Sequence, residues 1–153
     1  MPRQRTLGGR EWGEEILAMY RAYARERQMQ LVEIAALGRD AGPVLVISGY
    51  GASRTLGREA GLHVYERDEK SSGRIAVRVL TVTPPAGMPD PQRLARYLSD
   101  SFAASARAHA ITRRYRRTPD PLVANADGSW RTRRIESVLG GSFDLVEAMD
   151  RQR

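Results

Sequence analysis

Apolar residues recur along this chain with two different periods. From Arg10 to about Gln28, Trp12, Ile16, Met19, Tyr20 and Tyr23 return at steps of three and four, the stripe of an amphipathic helix facing a core. Glu11, Glu14 and Glu15 open that stretch and Arg25 and Arg27 close it, an order that suits the helix dipole. Leu31-Val32-Glu33-Ile34 reads as a strand, and Gly38 to Gly42 as a turn. Val44-Leu45-Val46-Ile47-Ser48 is a short continuous apolar run, which predicts a central strand covered on both faces.

Leu56 to His63 reads as a helical turn and a glycine break. A strand, a Ser71-Ser72-Gly73 turn and a return strand follow. In the return strand Ile75, Val77, Val79, Thr81 and Thr83 alternate with Arg74, Ala76, Arg78, Leu80 and Val82 until Pro84-Pro85 stops the ladder. Residues 84–91 form a proline-rich connector. Asp90 is then an N-cap, with Pro91 at the first position of a helix reaching Ile111, marked by Leu94, Leu98, Phe102, Ser105 and His109. Arg113-Arg114-Tyr115-Arg116-Arg117 follows the end of that helix, and Pro119 and Pro121 prevent continuation. Near the C-terminus, Gly140-Gly141-Ser142 ends one short helix and begins another, with Ser142 as its cap. The pattern predicts an α+β single domain. A mixed, mostly antiparallel sheet of four or five strands is packed by helices over 10–28 and 91–112 and closed by short C-terminal helices.

Length supports this reading, since 153 residues make one compact domain rather than two. Residues 1–7 read as a disordered basic tail and 8–150 as the folded unit. No apolar run approaches the roughly 18 residues of a membrane span, and no apolar leader follows the basic N-terminus. There is no cysteine, hence no disulfide, thiolate nucleophile or thiolate zinc site. These features predict a cytoplasmic protein with no membrane partner, cofactor or metal.

The net charge is +7, and of 25 basic residues only Lys70 is lysine. That balance favours a polyanionic partner, because the planar guanidinium fork suits phosphate. Gly49-Tyr50-Gly51-Ala52-Ser53 is not a phosphate loop, since it lacks the Gly-Lys-Ser/Thr ending.

Three stretches carry a family resemblance. Gly8-Gly9-Arg10-Glu11 with Leu17-Ala18-Met19-Tyr20-Arg21 is one. Leu56-Gly57-Arg58-Glu59-Ala60-Gly61-Leu62-His63 with Gly73-Arg74-Ile75 is another, and Val138-Leu139-Gly140-Gly141-Ser142-Phe143-Asp144-Leu145-Val146-Glu147-Ala148 is the third. Together, and in this order, they resemble the codon-recognition domain and C-terminal segment of bacterial class-I peptide chain release factors. The resemblance implies a codon-recognition-like part over 8–84, a linker over 85–91 and a helix with the C-terminal part over 92–150. It also implies the ribosome or structured RNA as partner.

The departures from the family are as informative. In the family, a domain with the Gly-Gly-Gln loop that promotes peptide release lies between the two blocks. Here Ala86-Gly87-Met88-Pro89-Asp90-Pro91 stands in its place, and neither Gly8-Gly9 nor Gly140-Gly141 is followed by glutamine. The family's N-terminal helical domain has no counterpart here either. The codon-reading tripeptide falls on the acidic loop Asp68-Glu69-Lys70-Ser71-Ser72, and the family's His-Thr-Ser on Ala76-Val77-Arg78. Alanine and valine can neither hydrogen-bond nor stack on a base. The family's arginine after His63 is Val64.

The candidate RNA contacts are therefore Arg113, Arg114, Tyr115, Arg116 and Arg117, then Arg131, Arg133 and Arg134, with Arg74 and Arg78 on the return strand. The competing reading gives Arg113 and Arg114 to a helix dipole and the rest to solvated surface. His63, Glu59 and Tyr65 are pocket or structural candidates. His63 and His109 have no carboxylate at metal-site spacing, so no catalytic or metal constellation is assigned. Three functions remain open. The first is a release-factor-like protein without release or codon-reading chemistry that binds ribosome or RNA. The second is a repurposed interaction module, with a protein partner or second copy on the surface near 84–91. The third is an enzyme acting on charged tRNA or a small molecule.

Overall fold

The computed structural model describes residues 8–34, 42–67, 73–83, 90–104 and 110–147. The apolar stripe at the N-terminal end forms α1 (Gly9–Glu26), with Trp12, Ile16, Met19, Tyr20 and Tyr23 all buried. After it come β1 (Gln30–Ile34) and β2 (Val44–Ser48), then α2 (Ala52–Leu56) and a single 3-10 turn (Gly57–Glu59). The antiparallel pair β3 (Gly61–Glu66) and β4 (Arg74–Val79) follows. Next are α3 (Pro91–Ala104), β5 (Ile111–Arg116), β6 (Leu122–Asn125) and β7 (Arg131–Thr132). Two short helices, α4 (Ile135–Leu139) and α5 (Asp144–Glu147), end the described chain.

The strands form a five-stranded sheet in the order β4-β3-β5-β6-β7 and a separate two-stranded sheet, β1-β2. All neighbours in the larger sheet are antiparallel except β3 and β5, which run parallel at its centre. The fold is thus mixed α+β with a mostly antiparallel main sheet, as the pattern predicts. One face of that sheet packs on α1 and the C-terminal helices. Trp12, Met19, Tyr65, Tyr115, Val123, Ile135, Val138 and Phe143 form this core, joined by Ile75 and Val77 from β4.

Three strands differ from expectation. Val44–Ser48 is not central: it pairs only with β1 among the described residues, and its apolar side chains are half-buried. Leu45 and Ile47 reach the core from it, whereas Val46 and Val44 pair with Val32 and Ile34 on the other face. The stretch from Ile111 is not helical. It is the middle strand of the sheet, with Arg113 to Arg116 on consecutive ladder positions. The β4 ladder stops at Val79, short of Thr83. The start of α3 matches its signal, with the Asp90 carboxylate accepting the Gln92 N–H at 3.0 Å. At the start of α5 the Ser142 backbone carbonyl accepts the Leu145 N–H at 3.4 Å.

Candidate nucleic-acid interface

A pleated strand sends successive side chains to opposite faces, and β5 divides the arginine run accordingly. Arg113 and Tyr115 point into the core; Arg114 and Arg116 point outward. The inward pair joins residues far away in sequence. Arg113 Nη2 donates to the Glu59 carboxylate, and Nη1 donates to the Tyr115 hydroxyl oxygen at 3.2 Å. The two side chains of that ion pair are 3% and 2% exposed.

His63 completes the network. Its Nε2 lies 2.8 Å from the Glu59 carbonyl oxygen, which only accepts, so Nε2 carries the proton. Nδ1 is then the acceptor for the Tyr115 hydroxyl at 2.8 Å. The Tyr20 hydroxyl donates to the second Glu59 oxygen at 3.2 Å. Trp12 Nε1 donates to the His63 carbonyl at 3.0 Å, binding the helix to β3. A closed ring results, running from the Glu59 carboxylate through Arg113, Tyr115 and His63 to the Glu59 backbone.

Burial governs the ionisation of this ring. Burial first, and the Arg113 charge second, lower the His63 pKa to about 3, so it is neutral at pH 7. Burial raises Glu59, while Arg113 and the Tyr20 hydrogen bond hold it back. Tyr20 is raised by burial and by the Glu59 charge, and Tyr115 chiefly by burial. For Arg113, burial opposes the charge, but Tyr115 and Glu59 outweigh it and its pKa is raised. Glu59, His63 and Tyr65 are all buried. Glu59 and His63 belong to a buried polar ring with both imidazole nitrogens occupied, and Tyr65 packs in the hydrophobic core. Among the described residues no cluster of His, Asp or Glu is arranged to hold a metal ion.

The outward residues make a different surface. Glu66 faces Arg74 across β4 and Arg116 across β5 in the ladder register. Its carboxylate lies 3.9 Å from Arg74, 4.0 Å from Arg114 and 3.6 Å from Arg116. Arg114 sits between Val64 and Ala124, Arg78 lies opposite Leu62, and Arg131 lies opposite Ala124. Cross-strand partners share a face, so Arg74, Arg78, Arg114, Arg116 and Arg131 stand on the side of the sheet away from α1. Val64 and Ala124 are buried on that side.

The run that looks like one exposed cluster is therefore split. Arg113 and Tyr115 are unavailable at the surface because the core consumes their polar groups. Arg117 lies at the rim, bidentate to Glu15 at 2.9 and 3.0 Å and bonded to Glu136 at 2.7 Å. Arg133 stands 3.7 Å from Asp120 beyond β7, and Arg134 is exposed at the start of α4. The acidic loop 68–72, the connector 84–89, His109 and the tail 1–7 lie outside the described residues. Glu66 is the residue that sequence reading overlooks: it is the shared carboxylate of the outer face, visible only once the register is known.

No family model matches the sequence, and no curated protein matches it. Among solved structures, the fold is similar to RF2 of Thermus thermophilus, with a TM-score of 0.53 and 18% sequence identity. That likeness covers 96% of this chain and 66% of the other, so the chain spans just under two-thirds of that protein's length. The fold is release-factor-like. No helix among the described residues is long and apolar enough to cross a membrane.

Proposed function

We propose that this is a non-catalytic, release-factor-like protein that binds the ribosome or structured RNA. The observation that carries the reading is the likeness of fold to a release factor over 96% of the chain. It is joined by a sequence in which no Gly-Gly pair precedes glutamine. Binding without release chemistry follows: the protein holds an RNA site through arginine–phosphate contacts and does not hydrolyse a peptidyl ester. A net charge of +7 suits that role. The enzyme reading built on His63, Glu59 and Tyr65 gains nothing from their geometry, since all three are buried and the polar groups of His63 and Glu59 are engaged by core residues.

Co-sedimentation with purified bacterial ribosomes through a sucrose cushion tests the proposal. Saturable pelleting that weakens as salt rises, with no release of peptide from a programmed ribosome, is the expected result. Folded protein that stays in the supernatant even at low salt would sink it.

A further inference from the structure

The fold makes no use of one large side chain. Tyr50 lies on the turn between β2 and α2 and is 102% exposed, as open as in an extended chain. Val32 and Tyr97, the other exposed large apolar side chains of the described residues, are 46% and 37% exposed. The Tyr50 ring has no hydrogen bond and no ring contact among the described residues. A side chain as exposed in the fold as in the unfolded chain adds nothing to stability. The turn beneath it is nonetheless fixed. Gly51 adopts φ +79, the Ala52 N–H donates to the Gly49 carbonyl at 3.2 Å, and the Thr55 N–H donates to the Gly51 carbonyl at 3.0 Å. A ring held out on a fixed turn binds a ligand at little cost in entropy.

The groups beside the ring narrow the choice of ligand. Ser48, Gly49, Gly51 and Ser53 flank it in the chain, and Ala52 is buried. No apolar neighbour in the chain therefore widens the ring into the kind of patch in which the anchor of a protein interface sits. Full exposure leaves both faces of the ring open, and a flat ligand can stack on either. Arg54 follows four residues on, across the single turn closed by Thr55 and Gly51. It is exposed, and its guanidinium makes no ion pair or hydrogen bond among the described residues. Gln30 and Ser48, opposite each other at the end of β1 and β2 next to this turn, are also exposed and offer a carboxamide and a hydroxyl. An aromatic face, a cation and neutral hydrogen-bonding groups are the parts that hold an unpaired nucleotide. A base inside a duplex hides its faces in the stack and cannot meet the ring.

We infer that Tyr50 and Arg54 hold one unpaired nucleotide of RNA, the base stacked on the ring and the phosphate paired with the guanidinium. The inference rests on the proposed RNA-binding function and adds to it a site and the form of RNA taken there.

The test is titration of a labelled, unstructured 12-nucleotide RNA, and of the same strand annealed to its complement, from 50 to 200 mM salt. Tyr50→Ala weakens binding of the single strand by about 5- to 150-fold, the loss expected for one stacked base, and Tyr50→Phe, which keeps the ring, restores it. The loss on the duplex is smaller, because paired bases offer the ring no face. Arg54→Gln lowers the log–log salt slope on the single strand by roughly 0.7. Unchanged urea midpoints show that the variants are folded. If Tyr50→Ala binds the single strand as tightly as wild type, this site is wrong and RNA binding stands. If Tyr50→Ala pellets less with ribosomes while binding RNA normally, the ring meets ribosomal protein and the nucleotide assignment falls. Equal losses on strand and duplex, or a Tyr50→Phe variant as weak as Tyr50→Ala, overturn stacking on an unpaired base. A wild type that binds neither RNA at 50 mM salt overturns the inference, and if it also fails to pellet with ribosomes the proposed function falls with it.

Discussion

The buried pair of Glu59 and Arg113 offers the sharpest test of how this fold is held. Glu59→Gln removes the negative charge but keeps an oxygen for the Tyr20 hydroxyl and an atom near Arg113. The guanidinium then remains 3% exposed with the Tyr115 hydroxyl as a neutral acceptor and the rings of Tyr115 and Phe143 at 5.8 Å. Leaving one member of a buried pair uncompensated costs about 3–5 kcal/mol. Against a typical domain stability of about 5–15 kcal/mol, this is a fifth of the total at the least. Arg113→Met removes the other partner, at a similar cost near neutral pH, and strands a carboxylate that can take a proton. The double variant Glu59→Gln/Arg113→Met contains neither charge, so its cost falls at least about 2 kcal/mol short of the sum of the singles. Urea unfolding followed by Trp12 fluorescence at pH 7.5 measures all four corners of the cycle, because Trp12 is fully buried beside this network. A Glu59→Gln cost under about 1 kcal/mol, or strictly additive singles, would refute the idea that the pair is charged and interdependent.

Further expectations follow from the same geometry. His63 is neutral in the fold with a pKa lowered to about 3, while in the unfolded chain it titrates near 6.5. Its contribution is therefore complete above pH 6.5 and lost as pH falls, by about 1.4 kcal/mol per unit, or about 2 kcal/mol by pH 5. Glu59, raised by burial, works in the opposite sense, so the slope is read as wild type minus His63→Gln; equal slopes in the two would refute it. Gly141 has φ +93, and a Cβ there would sit 2.6 Å from Tyr23 N in α1. Gly141→Ala should lower the melting temperature by about 4–12 °C, from a cost of about 2–3 kcal/mol. Asp90→Ala removes the cap of α3 and should cost about 1 kcal/mol in urea melts, whereas Asp90→Asn should be nearly silent.

Periodicity revealed the parts of this fold where one face is apolar and the other polar. The α1 stripe and the Asp90-Pro91 start are of that kind, and they appear where the pattern puts them. The Arg113–Arg117 run defeated the same logic for a physical reason. Both of its faces bear arginine, so the sequence shows no alternation, although the fold treats the two faces oppositely. Arg113 is tolerated inside only because Glu59, 54 residues earlier, is brought to it by the parallel register of β3 and β5. A pairing at that distance leaves no local trace. Val44–Ser48 misleads in the converse way. An unbroken apolar run reads as a doubly covered strand, yet here Leu45 and Ile47 reach the core while Val44 and Val46 share the other face with Ile34 and Val32 of β1. Glu59, His63, Tyr115 and Tyr20 were each visible as notable residues, but their union in one ring was not.

The parallel junction of β3 and β5 has a consequence for chain architecture. Every other neighbour in the main sheet is antiparallel, and each of those pairs is joined by a short connection. The sheet is thus two local hairpin modules, β3–β4 and β5–β6–β7, riveted along one seam. The chain travels from one module to the other through residues 80–110. The entropy of closing that passage grows only with the logarithm of its length, so making it four times longer costs about 1.2 kcal/mol. Such a seam is a natural port for insertion or deletion. A whole domain can be spliced in or removed there while the two modules close on each other in the same register.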